Sequence, residues 1–186
     1  MKTKVKRSES IMEIKKLEPS LYVGKKFTVR YETSGYYDIQ ENAQGFQIQY
    51  ISYPAPKEKS FDDVFFAKWL DHPIAFGAFN DDQMMGYVEG AMETWNNRFR
   101  ISNICIFEAS KRHNGIGKRL METIIEVAQS LQARMVVLET QSCNVNAINF
   151  YKKMGFCIIG FDLYAYSNTD KEQHEIRIEM GKKLLK

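Results

Sequence analysis

No run of apolar residues in this chain of 186 comes near the roughly 20 that a membrane-spanning helix needs. The start, MKTKVKRSES, carries positive charge without the apolar segment that a secretory leader places behind it, so a cytoplasmic protein with no membrane partner is expected. Cysteine is scarce: Cys105, Cys143 and Cys157 show no C-x-x-C spacing, which points to reduced thiols and no bound metal. Charge of one sign is lacking as well. With 26 Lys and Arg against 23 Asp and Glu, the net +3 is too evenly mixed for a nucleic-acid partner. The basic N-terminal cluster reads as a solvated tail, flexible over residues 1–20. Internal repeats and low-complexity segments are absent. So are the G-x-x-x-x-G-K-[ST] of a P-loop and the G-x-G-x-x-G of a dinucleotide-binding unit.

What is present has the composition of one globular domain, residues 1–186, with 44% apolar and 26% charged residues. KKFTVRYET and FQIQYISYP, separated by GYYDIQENAQG, read as strands and turns. SFDDVFFAKWL, residues 60–70, carries a helix-start signature, Ser60 as N-cap and Asp63 three residues on, with Val64, Phe65 and Trp69 as its apolar face. HPIAFGAFN and MMGYVEGAMET predict a hairpin about Asp81, Asp82 and Gln83, and a turn at WNNR leads into FRISNICIF, completing a three-stranded antiparallel meander. The second half alternates: a helix over about 116–131, a strand at 134–140, a helix over about 145–154, then strands in FCIIGFDLYAY and HEIRIEMGKKL. That alternation requires at least one parallel pairing with a right-handed crossover. The fold class is therefore α/β (α+β): a mixed, mostly antiparallel twisted sheet of about six or seven strands flanked by helices.

RHNGIG, residues 112–117, joins the meander to an amphipathic helix. Glycine costs about 1 kcal/mol in a helix, so Gly115 and Gly117 at a helix start need a reason. A backbone that must approach a ligand supplies one, because the first turn offers unpaired N–H groups and the positive end of the helix dipole. Arg112 adds a charge that can fork onto phosphate. These six residues have the chemistry of a pyrophosphate cradle, though a glycine pair before a helix also serves as plain turn chemistry.

Arg112, Gly115 and Gly117 match the Q/R-x-x-G-x-G/A motif of the GNAT N-acetyltransferases. Asn144, Ala147, Phe150, Tyr151, Gly155 and Phe156 match that family's later N-x-x-A-x-x-F-Y-x-x-x-G-F pattern, and the chain resembles the family over residues 72–160. Within it, Gly24–Lys25, Arg30–Tyr31–Glu32, Trp95–Asn96, Glu139–Thr140–Gln141 and NFYKKMGF resemble the streptothricin acetyltransferases. Where those enzymes would carry an acidic pair, this chain has Ser102 and Asn103.

The resemblance implies acetyl-CoA as cofactor, held by Ile106, Phe107, Arg112, His113, Asn114, Gly115, Ile116, Gly117, Lys118 and Asn144, with strand N–H groups of Ile106 and Phe107 polarising the thioester carbonyl. Tyr151 would protonate the departing thiolate. Read from spacing alone, Tyr151 is as readily a core aromatic, Asn144 a helix cap and His113 a surface residue. The acceptor is a primary amine of a small molecule, streptothricin among the candidates, with Tyr31, Glu32, Trp95, Ser102 and Asn103 around it. A lysine-like amine, pKa about 10.4, is only ~0.04% neutral at pH 7, so some group must take its proton. Glu139 and Glu93 are candidate bases, with Glu108 a third. A peptide amine acceptor and a non-catalytic acyl-CoA sensor are the alternatives. The last strand, HEIRIEM, can pair within the chain or across a homodimer.

Overall fold

The computed structural model describes residues 12–107 and 114–184. Arg112, His113 and Glu108 lie outside the described residues. Two sheets are present. The smaller is a long hairpin of β2 (Lys26–Asn42) and β3 (Gly45–Val64), turning at residues 43–44, where Asn42 Oδ1 accepts the Gln44 N–H at 2.9 Å. The larger has seven strands: β1 (Glu13–Lys16), β4 (Ile74–Asn80), β5 (Gln83–Glu93), β6 (Arg98–Ile106), β7 (Met135–Gln141), β8 (Cys157–Asp162) and β9 (Arg177–Lys183), in the spatial order β1-β4-β5-β6-β7-β9-β8.

The predicted meander forms as β4-β5-β6, its turns carried by Asp81 and Asn97 at positive φ. Among the described residues the one parallel pairing is β6 with β7, with α2 (Ile116–Ser130) between them in sequence. Ile116, Leu120, Met121, Ile124, Ile125 and Ala128 turn one face of α2 onto the sheet, beside Val88, Phe99, Ile101, Val136 and Leu138. At about 1.5–3 kcal/mol per fully buried aliphatic side chain, that face holds the crossover in place. The short helix α3 (Val145–Lys153) adds Ile148 and Tyr151 to the same core. Two single-turn helices complete the order, α1 (Pro19–Tyr22) and α4 (Asp170–Gln173).

Two expectations are corrected. Residues 60–64 are the end of β3 rather than a helix, Ser60 lying opposite Arg30 and Val64 opposite Lys26, and Trp69 is 71% exposed instead of packing inward. The capping pattern is local, and cross-strand pairing over the whole hairpin outweighs it. The segment read as a flexible tail contributes β1 from Glu13 onward, paired antiparallel with β4. Of the two pairings open to the last strand, the one within the chain forms: β9 is hydrogen-bonded on both sides, to β7 and to β8.

Candidate active site

Parallel strands β6 and β7 stay together only from Arg98–Ile101 against Met135–Leu138. Beyond that they diverge: β6 continues to Ile106 and β7 to Gln141 without further pairing between them. Backbone polar groups alternate sides along a strand, so the direction of one fixes its neighbours. Phe107 donates its N–H to the Met85 carbonyl at 3.1 Å, on the β5 side. The N–H groups of Ile106 and Ile104 therefore face the opening. Of the two amides expected to polarise a thioester, that of Phe107 is already engaged with β5, whereas that of Ile104 faces the opening beside that of Ile106.

The start of α2 borders this opening. Gly115 is its N-cap at φ +79°, and a Cβ built there would meet nothing within 4 Å. No side chain caps the first turn and no acidic residue lies in it. The N–H groups of Ile116, Gly117 and Lys118 thus keep their capacity and the dipole its positive end. A Cβ on Gly117 would touch Phe150 of α3 at 3.5 Å, an ordinary contact. Asn114 is exposed, and Lys118, also exposed, reaches Glu122 at 3.7 Å. This donor set, open and free of carboxylates, fits a pyrophosphate.

Asn144 caps α3, its Oδ1 accepting the Ala147 N–H at 3.3 Å. Tyr151, one face of which meets Phe150 and Phe156, is only 6% exposed. Burial, reinforced by the neighbouring Cys105 thiol of β6, pushes its phenol well above the ordinary value, so the proton stays on it. Tyr151 is thereby held beside the unpaired stretch of β6.

Ser102 and Asn103 open that stretch, and each holds a carboxylate that the sequence reading missed. Ser102 Oγ donates to Glu89 Oε1 at 3.1 Å, and Asn103 Nδ2 donates to Asp63 Oδ2 at 2.8 Å. A register shift in β6 opposite Glu89 and Gly90 makes Ser102 the extra residue of a bulge, which sets both side chains toward these acids. Glu89 is fully buried. Its Oε2 accepts the Phe66 N–H at 2.7 Å and the Tyr87 hydroxyl. Burial raises its pKa and the Asp63 charge adds to this, while hydrogen bonds from Phe66, Ser102 and Ala67 only partly offset the rise. The available signal was a lone glutamate in MMGYVEGAM, an otherwise apolar strand, where a carboxylate must find partners.

The candidate bases read from the sequence stand elsewhere. Glu93 pairs with Arg98, which precedes Ile104 by six residues, or roughly 20 Å of strand. It is bound by Arg98 at 3.0 Å and Arg100 at 2.5 Å. Trp95, 84% exposed on the same turn, stacks under the Arg98 guanidinium at 6.0 Å, at the opposite end of β6 from Ile104. Glu139 lies near the divergence but faces solvent, ion-paired to Arg177 at 3.3 Å. Tyr31 is buried, its hydroxyl donating to Gln141 Oε1 at 2.9 Å and lying 3.5 Å from Cys143 Sγ, so it braces the end of β7. The Glu32 side chain is exposed, and its carbonyl accepts from Asn146 Nδ2 at 2.9 Å.

Residues 42–156 match the acetyltransferase (GNAT) family. The streptothricin acetyltransferase of Escherichia coli is 31% identical over 140 residues, covering 75% of this chain and 77% of that protein. The streptothricin acetyltransferase of Streptomyces lavendulae is 27% identical over 161 residues, covering 81% and 84%. In fold, the chain is similar to the crystal structure of nourseothricin acetyltransferase, with a TM-score of 0.74 at 24% identity over 92% of this chain and 98% of that one. A Bacillus anthracis protein solved in complex with acetyl coenzyme A gives 0.69 at 23% identity over 96% and 100%. With its diverging parallel strands and uncapped glycine-led helix, the chain belongs to the GNAT acetyltransferase family and is an acetyl-CoA-dependent N-acetyltransferase.

Proposed function

We propose that the protein acetylates a primary amine of streptothricin or a similarly cationic small molecule and so confers resistance to it, acting in the cytoplasm. The observation that carries this reading is the pair of carboxylates, Glu89 and Asp63, held by Ser102 and Asn103 beside the opening. A cationic acceptor is drawn to such charge. The neutral residues on β6 had favoured a peptide acceptor, and these acids on β5 and β3 remove that motive.

Acetyl-CoA, when bound, supplies a thioester as acyl donor. The N–H groups of Ile116, Gly117 and Lys118 would hold its pyrophosphate, with Gly115 leaving room and Arg112, His113 and Asn114 preceding it in sequence. Ile104 and Ile106 aim amide N–H groups at the opening, suited to an oxygen that gains negative charge. Tyr151 keeps its proton at neutral pH and would donate it to the departing CoA thiolate, whose proton affinity the same dry site raises. Asn144, which caps α3 just past the end of β7, would reach the cofactor from that side.

The test is free-thiol release from acetyl-CoA by the purified protein with streptothricin, polyamines, aminoglycosides and lysine peptides as acceptors. Turnover of streptothricin at ordinary efficiency is expected. Release with a peptide amine alone would overturn the acceptor assignment and leave the enzyme class standing.

A further inference from the structure

The family assignment accounts for the donor side of the site and leaves the acceptor's proton without a destination. We propose that Ser102 and Glu89 form the route by which that proton leaves, Ser102 touching the amine and Glu89 holding the proton from behind it.

Ser102 is half-buried and occupies the bulge where β6 leaves β7, two residues, or roughly 7 Å, before the cleft-facing amide of Ile104. Its hydroxyl donates to Glu89 Oε1 at 3.1 Å and to the Glu89 carbonyl at 3.2 Å. A hydroxyl in this position receives a proton from one side and passes its own to the other. Glu89 Oε2 is fixed by the Phe66 N–H and the Tyr87 hydroxyl, and Ser102 donates to Oε1. The titratable groups facing Glu89 among the described residues are Tyr87 on its own strand and Asp63 at the end of β3. No cation is paired with it there, so protonation of Glu89 relieves repulsion from Asp63 rather than breaking an ion pair. Neither Glu139, paired with Arg177, nor Glu93, paired with Arg98 and Arg100, has that freedom.

The step balances as follows. The acceptor ammonium passes one proton through the Ser102 hydroxyl to the Glu89 carboxylate. The neutral amine forms the C–N bond, the C–S bond breaks, and a second nitrogen-bound proton ends on the CoA sulfur with Tyr151 as intermediary. Glu89 then releases its proton to solvent. The upward displacement of its pKa brings this carboxylate closer to the working pH, where a base is most effective.

This inference rests on the acetyltransferase reading, and the experiment separates the two. Wild type, Glu89→Gln and Ser102→Ala are compared for acetyl-CoA binding by calorimetry and for kcat from pH 6 to pH 10. Wild type that binds acetyl-CoA yet acetylates no amine would defeat the reading itself. Under the proposal, Glu89→Gln binds acetyl-CoA as wild type does and loses about 100-fold in kcat at pH 7, within the range for lost base catalysis. The loss narrows toward pH 10, where much of the amine is already neutral, so kcat of the variant climbs with pH more steeply than that of wild type. Ser102→Ala shows a smaller loss with the same narrowing. A kcat within threefold of wild type in Glu89→Gln, or a loss of constant size at every pH, would overturn it. If Glu89→Gln does not fold, Ser102→Ala decides by the same criterion, since it leaves the Phe66 and Tyr87 bonds of Glu89 in place.

Discussion

Glu89 and Glu93 stand on one strand and are pushed in opposite directions. Burial raises Glu89, whereas for Glu93 the burial effect is outweighed by hydrogen bonds from Arg100 and Asn96 and by the charges of Arg100 and Arg98, so its pKa falls. Environments that separate two like groups tend to separate their roles. A carboxylate lowered in the folded state contributes stability above its unfolded pKa of about 4.3 and loses it as pH drops through the folded value. Glu93→Gln should therefore cost about 1 kcal/mol at pH 7, and the difference from wild type should vanish toward pH 2; urea unfolding at both values checks this. Catalysis should be nearly untouched. Tyr151→Phe should behave in the opposite way. It keeps the ring contacts with Phe150 and Phe156, so unfolding midpoints stay close to wild type, while kcat falls at least ~10-fold at unchanged acetyl-CoA affinity if the phenol supplies a proton. Steady-state kinetics beside calorimetry separates the two quantities.

At the level of elements, α2 was legible because its apolar residues recur at helical spacing for four turns and nothing local competes. The meander was legible for a similar reason, its turns marked by Asp81–Asp82 and by Asn96–Asn97. The hairpin was misread at its far end. Ser60 and Asp63 spell a helix start, but Asp63 spends its carboxylate on the Val64 N–H and on Asn103, forty residues away in sequence. Long-range partners of that kind leave no trace in a local pattern, which is also why Glu89 and Ile104 drew no attention in the sequence, whereas Gly115 and Tyr151 were singled out from local motifs. Gly115→Asp tests the helix start. At φ +79° a side chain costs about 1 kcal/mol, so Tm should fall by about 2–4 °C while the acetyl-CoA Kd rises at least ~10-fold from charge repulsion at the cradle. Ile39→Ala tests the hairpin. Ile39 is 1% exposed in the main core, and truncation should cost about 2–5 kcal/mol by denaturant unfolding.

Across the whole molecule the hairpin acts as a strap. Phe27 and Val29 pack with Phe65, Tyr87 and Phe107 beside the meander. Further along, the Tyr37 N–H donates to the Ser142 carbonyl at 3.0 Å, Lys59 pairs with Glu175 at 2.5 Å, and Phe46 meets Phe161 at 5.0 Å between ring centres. The strap thus joins both sides of a sheet that β6 and β7 hold together through only a short register. Ligands that touch both sides stabilise the joined state. At acetyl-CoA concentrations 100 times Kd the gain should be about 2.7 kcal/mol, read as a rise in Tm that Gly115→Asp cuts to about half or less.

The short β6–β7 register leaves a signature that needs no substrate. Along β6, amides that point to β5 are protected by the ladder, whereas those of Ile104 and Ile106 point to the opening and have no strand partner among the described residues. In deuterated buffer, protection from isotope exchange should therefore flicker with a period of two along these residues, Cys105 and Phe107 slow, Ile104 and Ile106 fast. A strand that is half ladder and half dock would report occupancy directly: as acetyl-CoA is titrated in, the fast members of the series should slow until the alternation is erased.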